Sequence, residues 1–182
     1  MIFRYQRYFG YFTYKDLFKL FDAMVTPILT YSADIWGFKV RDEIENVHIK
    51  FGKRVACLHQ NVANFFALSE CGRLPLSINY KSKCVKYWAK LTQMDNHRYP
   101  RQCYIMLRQH DDAGRFNWAT LVKPFLFEHG FGYAWLAKDI GDVDAFVTLF
   151  KTRIRDSSKQ MLHSLFLFYL AFDFCRFCVV IF

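Results

Sequence analysis

The chain has 182 residues, of which 53% are hydrophobic and 20% aromatic, and its 25 Lys and Arg outnumber its 16 Asp and Glu to give a formal net charge of +9. This composition excludes an intrinsically disordered chain as well as the collagen-like, low-complexity and coiled-coil classes. The length fits one domain that can bury a core. What remains is a globular chain that is strongly basic and also more apolar than average.

The first half of the chain shows apolar residues at helical spacing and almost no strict alternation. Thr13 and Asp16 resemble a capping box that begins the first helix, and Pro27 should kink or divide that helix. Residues 41–59 form the clearest amphipathic helix. Its apolar stripe is predicted to consist of Ile44, Val47, Phe51, Val55 and Leu58.

Turn and cap residues divide the second half into further helices. Pro75 is predicted to open a helix that reaches about residue 94. Residues 111–115 are predicted to be a loop, Asn117 to cap the helix that follows it, and Asp142 or Asp144 to begin the last helix of the body. The predicted fold is therefore all-α, an irregular bundle of about six to seven helices plus a C-terminal apolar helix.

The C-terminal segment differs in composition from the rest of the chain. Eighteen of the 23 residues from 160 to 182 are hydrophobic, interrupted by Asp173 and Arg176. A membrane span needs about 20 apolar residues, and the uncharged part of this segment is shorter. We therefore divide the chain into a body, residues 1–159, and a hydrophobic tail, residues 160–182, through which membrane contact is an alternative.

The cysteines and the N-terminus indicate an intracellular protein. Six cysteines are spread along the chain rather than forming a dense disulfide pattern, so we expect free thiols. Cys175 and Cys178 have metal or redox spacing but lack a second pair of ligands. Residues 1–14 lack the smooth apolar stretch of a signal peptide. The expected location is the cytoplasm or nucleus, with membrane anchoring as the alternative.

No catalytic constellation is visible in the sequence. It contains no Gly-rich phosphate loop, no zinc-protease motif and no nucleophile elbow. The paired carboxylates Asp42/Glu43 and Asp142/Asp144 fall where helices begin, which capping and the helix dipole explain. His48 is interpreted as a partly buried, hydrogen-bonded histidine. We predict no catalytic residue, no metal site and no cofactor, and we infer no small-molecule substrate.

Basic residues concentrate in the middle of the chain. Aromatic residues, Tyr80, Tyr87 and Trp88, are interleaved with them, and such a surface can follow a phosphate backbone and stack on bases. The alternative is a solvated basic face over core aromatics. The candidate nucleic-acid-binding residues are Lys50, Lys53, Arg54, Arg73, Lys83, Lys86 and Lys90.

Several ordered segments resemble the region that follows the polymerase domain in non-LTR retrotransposon reverse transcriptases. The resemblance extends over about residues 5–159 and includes a late element at 131–135 (FGYAW). Its main segments are residues 20–31 (LFDAMVTPILTY), 35–38 (IWGF), 44–54 (IENVHIKFGKR), 68–76 (LSECGRLPL) and the helix over 78–91 that contains KYW.

The resemblance implies a helical, thumb-like or connecting region that contacts the template–primer or the RNA of the element. The paired catalytic aspartates of such enzymes belong to the palm, and no Tyr/Phe-x-Asp-Asp occurs in this sequence. Two-metal phosphoryl transfer cannot be built without those carboxylates. The resemblance therefore implies a non-catalytic chain.

The sequence also departs from the family pattern. Ser32 stands where the family has glycine, Asp34 where it has glutamate, Gly52 where it has cysteine and Cys71 where it has leucine. The apolar tail does not fit the family either. We therefore expect a remnant of a reverse transcriptase, with RNA or DNA as its partner. A small tail-anchored membrane protein and a protein–protein interaction module are the alternatives.

Overall fold

In the computed structural model, residues 12–137 and 140–179 are described, with side chains described as far as residue 169. This part of the chain is helical and contains no strand, which confirms the all-α prediction. The predictions for residues 1–11 and for the Cys175 and Cys178 side chains lie outside it. The α-helices in chain order are α1 (Tyr14–Leu20), α2 (Thr26–Leu29), α3 (Ala33–Trp36), α4 (Asp42–Val55), α5 (Asn64–Glu70), α6 (Ser77–Gln93), α7 (Tyr99–Asp112), α8 (Trp118–Glu128), α9 (Gly132–Ala137) and α10 (Val143–Val179).

The chain divides into two compact units, each assembled from segments that are distant in sequence. Unit 1 consists of residues 1–31, 41–76 and 156–182, and unit 2 of residues 32–40 and 77–155. The boundary that the sequence places between residues 159 and 160 lies inside helix α10.

The first helix of unit 1 is capped and interrupted as its sequence predicts. The Asp16 backbone N–H donates to the Thr13 hydroxyl, and the Thr13 backbone N–H donates to the Asp16 carboxylate, which completes the capping box. A π-helix, Phe21–Val25, then follows α1. The α-helical pattern resumes in α2, and Pro27 lies in its first turn, where the missing backbone N–H would have no partner within the helix.

The core of unit 1 is formed by aromatic rings around a fully buried histidine. The His48 ring stacks on Phe21 with a centroid separation of 5.5 Å, and Phe21 stacks on Phe51 at 4.5 Å. Neither nitrogen of His48 has a hydrogen-bond partner among the described residues, so the interpretation as a hydrogen-bonded histidine is wrong. Burial, followed by the positive charge of Arg73, lowers the pKa of His48 to about 4, and the core therefore contains a neutral imidazole.

The buried face of α4 differs from the apolar stripe predicted for it. The helix buries Glu45, His48 and Gly52, whereas Val47 is 41% exposed. Glu45 is buried because its carboxylate accepts a hydrogen bond of 3.0 Å from the Leu76 backbone N–H. The prediction failed because a hydrophobicity pattern assigns polar residues to solvent, whereas here a polar residue has a buried partner.

Gly52 leaves space for a side chain within α4. An added Cβ would lie 3.7 Å from the Cys71 Sγ atom and 3.8 Å from the Ala67 carbonyl oxygen, which is ordinary van der Waals contact. Glycine in a helix costs roughly 0.5–1 kcal/mol relative to alanine. We therefore expect Gly52→Ala to raise the free energy of unfolding by about that amount, measured by urea denaturation. A decrease would mean that the site has no room for a methyl group.

The core of unit 2 is built on α6, which packs against α3, α7 and residues of α9 and α10. Trp88 is buried, and its indole N–H donates to the Tyr104 hydroxyl at 2.9 Å. The start of α6 differs from the prediction, since the helix begins at Ser77, two residues after Pro75. Proline at 75 therefore precedes the helix rather than occupying its first turn.

Where α7 ends and α8 begins, one prediction is confirmed and one is wrong. Asn117 caps α8, because its side chain accepts a hydrogen bond of 2.8 Å from the Ala119 backbone N–H. The predicted loop over 111–115 begins later than expected, since α7 continues to Asp112. Asp111 is retained in the helix, where its carboxylate accepts a hydrogen bond of 2.6 Å from the Thr120 hydroxyl.

Helices α3 and α6 approach closely at Gly37. The Cys84 thiol is buried and donates a hydrogen bond of 2.8 Å to the Ala33 carbonyl oxygen. Burial raises the pKa of this thiol to about 12. Cys57, Cys71, Cys84 and Cys103 are all unpaired, which confirms the free thiols predicted for these four positions.

Helix α10 is the longest element of the described chain, and its first turn is capped by the Asp142 carboxylate, which accepts from the Ala145 backbone N–H at 2.9 Å. Further along, the Phe166 ring stacks on Phe66 at a centroid distance of 5.9 Å, within unit 1. Among the described residues, no helix combines the length and the apolar character that a membrane crossing requires.

Candidate nucleic-acid interface

Helix α6 presents three lysines on its exposed side. Lys83, Lys86 and Lys90 lie three and four residues apart, so they follow one stripe along the helix. The opposite side of the helix buries Cys84, Val85 and other core residues. Lys83 and Lys90, the ends of the lysine stripe, are seven positions apart, or about 10 Å along the axis.

The Asp144 carboxylate lies beside Lys86. The Lys86 Nζ atom is 2.8 Å from the Asp144 Oδ1 atom, in the first turn of α10. The hydrogen bond and the charge of Lys86, with a smaller contribution from Lys90, hold the pKa of Asp144 below its usual value. Both side chains of the pair are exposed, and exposed ion pairs of this kind contribute little to stability. A phosphate group could therefore take the place of this carboxylate at low cost.

The remaining candidate residues belong to unit 1 and are placed differently. Lys50 and Arg54 are exposed on α4, one turn apart. Lys53 is buried, and its Nζ atom donates to the Gln60 carbonyl oxygen at 2.7 Å. A basic surface that includes Lys53 requires its side chain to face solvent, and this expectation is wrong. The aliphatic stem of Lys53 is buried, and its ammonium group donates to a carbonyl oxygen beyond the end of the helix.

The Arg73 side chain also makes contacts within unit 1. Its guanidinium group lies 2.5 Å from the Asp22 carboxylate and 4.8 Å from the centroid of the Phe18 ring. The seven candidate residues are therefore divided between the two units and differ in exposure. Three line an exposed face in unit 2, and in unit 1 two are exposed while Lys53 and Arg73 make internal contacts.

The net charge is distributed unequally between the units. Unit 2 contains 14 Lys and Arg against 8 Asp and Glu, whereas unit 1 contains 11 against 8. Two thirds of the net charge of +9 thus belongs to the unit that carries the lysine stripe. Electrostatic attraction to a phosphate backbone should consequently be stronger at unit 2.

The aromatic residues interleaved with these lysines do not form a stacking platform. Tyr80 and Trp88 are buried in the core of unit 2. Tyr87 is half-buried, with its ring centroid 5.9 Å from that of Trp118. The predicted stacking of bases on Tyr80 and Trp88 is wrong, because α6 turns both rings inward; the lysine stripe can offer charge but not ring faces.

Sequence reasoning missed a second group of basic residues in unit 2. Arg101 and Arg108, both on α7, line a pocket together with Trp88 and Trp135. The available signal was the spacing of seven residues between the arginines, which places them on the same side of a helix. Among the described residues, no group of three or more His, Cys, Asp or Glu side chains could hold a metal ion.

Comparisons of this chain with models of protein families, with curated proteins and with solved structures find no match.

Proposed function

We propose that this chain is a non-catalytic, helical fragment derived from a non-LTR retrotransposon reverse transcriptase, and that it binds the backbone of RNA or DNA through helix α6. The observation that carries the proposal is the stripe of Lys83, Lys86 and Lys90 on the exposed face of one helix, in the more basic unit.

The spacing of the stripe suits a phosphate backbone. Its length of about 10 Å corresponds to roughly three phosphates, since a DNA strand advances about 3.4 Å along the helix axis per charge. Three ammonium groups can thus face three phosphates of one strand. Lysine acts as a point charge without base selectivity, so the expected binding is independent of sequence.

Backbone geometry supports the proposed origin at positions within the family-like segments. Ser32 adopts a φ of +51° and Gly72 a φ of +60°, a region that favours glycine. The family has glycine at the position of Gly72 and usually has glycine at that of Ser32, so its pattern suits the conformation that this chain adopts.

The binding test compares two triple variants of equal charge. Removal of the stripe in Lys83→Gln/Lys86→Gln/Lys90→Gln should abolish most of the affinity for a single-stranded oligonucleotide. The slope of log K against log salt should decrease by about 2–3, since each lost phosphate contact removes roughly 0.7–0.9. The measurement is fluorescence anisotropy at several salt concentrations. The control variant removes the exposed Lys15, Lys39 and Lys123.

Two results would contradict the proposal. One is that the unmodified chain fails to bind at low salt. The other is that the control variant weakens binding as much as the stripe variant does, because this would mean diffuse attraction by net charge rather than contact with α6. The proposed origin has a separate test in the nucleotide sequence upstream of codon 1, where a region coding for a palm domain is expected.

The alternative function, a protein–protein interaction module, is favoured by one feature of α10. Met161, Leu165 and Phe168 expose apolar side chains to solvent. A chain that binds no oligonucleotide but self-associates, and that becomes monomeric in analytical ultracentrifugation after Leu165→Ser and Phe168→Ser, would support this alternative over the proposed function.

A further inference from the structure

The pocket in unit 2 has the character of a ligand site. Its volume is about 230 Å³, and helix α7 forms one wall, with contributions from α6 and α9. This volume is below the roughly 300–1,000 Å³ of clefts that enclose drug-sized ligands, so a ligand of that size would lie partly in the pocket and partly in solvent. Its lining includes Trp88, Arg101, Tyr104, Arg108, Asp112 and Trp135.

The pocket has a rigid aromatic base. Trp88 and Tyr104 are buried and joined by their hydrogen bond of 2.9 Å, and the rings of Trp88 and Trp135 stack with a centroid separation of 6.3 Å. A wall that is held in this way loses little conformational freedom when a ligand binds.

One end of the pocket is suited to an anion. The Arg101 guanidinium is held by hydrogen bonds of 3.0 Å to the Leu91 carbonyl oxygen and 3.4 Å to the Asn96 side chain. These bonds use two of its five N–H donors, and no described residue takes the other three. A fixed, half-buried guanidinium group with remaining donors is a strong partner for a phosphate.

The other end is suited to a planar polar ring. The Arg108 Cζ atom lies 4.3 Å from the centroid of the Trp135 ring, and a guanidinium held over an aromatic ring can stack on a nucleobase with its outer face. Asp112 lies one turn further along α7 and can accept from an exocyclic amino group. Its negative charge also disfavours a phosphate at this end, so the two ends of the pocket differ in preference.

The two arginines are spaced so that one nucleotide can reach both. Arg101 and Arg108 both line the pocket and are seven residues apart on α7, which is two turns and about 10 Å along the helix axis. We propose that this pocket binds a nucleoside 5′-monophosphate group, with the phosphate on Arg101 and the base against Arg108. The group could be a free nucleotide or the 5′ end of a strand.

The experiment uses the full chain and titrates AMP, CMP, GMP and UMP, with isothermal calorimetry as the readout. Adenosine lacks the phosphate and ribose 5-phosphate lacks the base, and each is expected to bind at least tenfold more weakly than AMP. Inorganic phosphate tests for simple anion binding. A trinucleotide with a 5′-phosphate, compared with its 5′-hydroxyl form, distinguishes a strand end from a free nucleotide as the source.

Two variants test which end of the pocket binds the phosphate and which binds the base. Arg101→Lys keeps the positive charge but removes the planar set of N–H donors. The affinity of this variant for AMP should fall to the affinity of the unmodified chain for adenosine. Arg108→Gln should reduce it to that for ribose 5-phosphate. Arg98→Gln and Arg115→Gln, at exposed positions outside the pocket, are the matched controls. Circular dichroism verifies that each variant is folded.

The proposal is overturned if inorganic phosphate binds as tightly as AMP, or if AMP binds equally well to the Arg108→Gln variant and the unmodified chain. It also fails if no nucleotide binds at millimolar concentration. The proposal does not rest on the lysine stripe of α6, because none of its residues lines the pocket. The lysine variants should therefore retain AMP binding, and the failure of one proposal leaves the other standing.

Discussion

Replacement of Gly37 by alanine is expected to lower the free energy of unfolding by about 3 kcal/mol, the upper part of the range for overpacking a closed contact. An added Cβ would lie 2.6 Å from the Ala33 carbonyl oxygen, 2.8 Å from the Tyr80 carbonyl oxygen and 2.9 Å from the Cys84 Sγ atom. Two of these three atoms belong to the backbone, so they cannot move aside without shifting α3 or α6. Urea denaturation of the full chain gives the measurement.

Gly52→Ala is the matched control, because the same substitution there places a Cβ at ordinary contact distance. Gly37 has a φ of −73°, which any residue adopts, so the expected loss comes from the lack of space and not from backbone conformation. If Gly37→Ala changes stability by less than 1 kcal/mol, α3 and α6 do not approach as closely as described.

The second large effect is a loss of stability on acidification that originates at His48. An unfolded histidine titrates near 6.5, whereas the buried ring has a pKa of about 4. Between these values the unfolded state binds more protons than the folded state, so stability decreases as the pH falls. The contribution is fully present above pH 6.5, and about 3 kcal/mol of it is lost by pH 4.

The surroundings of His48 account for the direction of this shift. Desolvation is the largest cause, and the positive charge of Arg73 adds to it, while the negative charge of Asp22 opposes both. Because both ring nitrogens lack partners among the described residues, a protonated ring would gain no compensating hydrogen bond. The aromatic neighbours Phe18 and Phe21 offer no acceptor of that kind.

His48→Leu separates this effect from other acid-sensitive groups. The variant removes the titrating ring at similar volume, and its stability should decrease by about 3 kcal/mol less than that of the unmodified chain between pH 6.5 and pH 4. The measurement is the urea midpoint at half-unit pH intervals. Parallel profiles for His48→Leu and the unmodified chain would refute the assignment.

The helix caps could be predicted from the sequence because each involves residues only a few positions apart. Thr13 and Asp16 exchange hydrogen bonds across three residues, and Asn117 does the same with Thr120. The exposed stripe on α6 was predictable for a similar reason, since one helix carries all three lysines and its period places them together.

The buried face of α4 could not be predicted because its contacts join distant segments. Glu45 is buried by the Leu76 backbone, 31 residues away, and hydrophobicity gives no sign of such a partner. His48 is buried without any polar partner among the described residues, which runs against the general rule. Lys53 was misplaced because the loop carbonyl at Gln60 that it reaches is not a feature of a helical pattern.

The pocket escaped sequence analysis because three helices supply its walls. Trp88 on α6 and Trp135 on α9 are 47 residues apart in the chain, and only the tertiary fold brings their rings together. Arg101 and Arg108 resembled ordinary surface charges on a polar helix, since nothing in their spacing shows what lies opposite them.

The rate at which the Cys84 thiol is alkylated can report how often its contact with Ala33 opens in unit 2. Thiol reagents attack the thiolate, and a buried thiol with a pKa of about 12 supplies almost none at neutral pH. The Cys84 thiol can therefore be alkylated only after α3 separates from α6 and water reaches the sulfur. Its rate, compared with that of an unstructured cysteine peptide, measures how often this contact opens under native conditions, without denaturant.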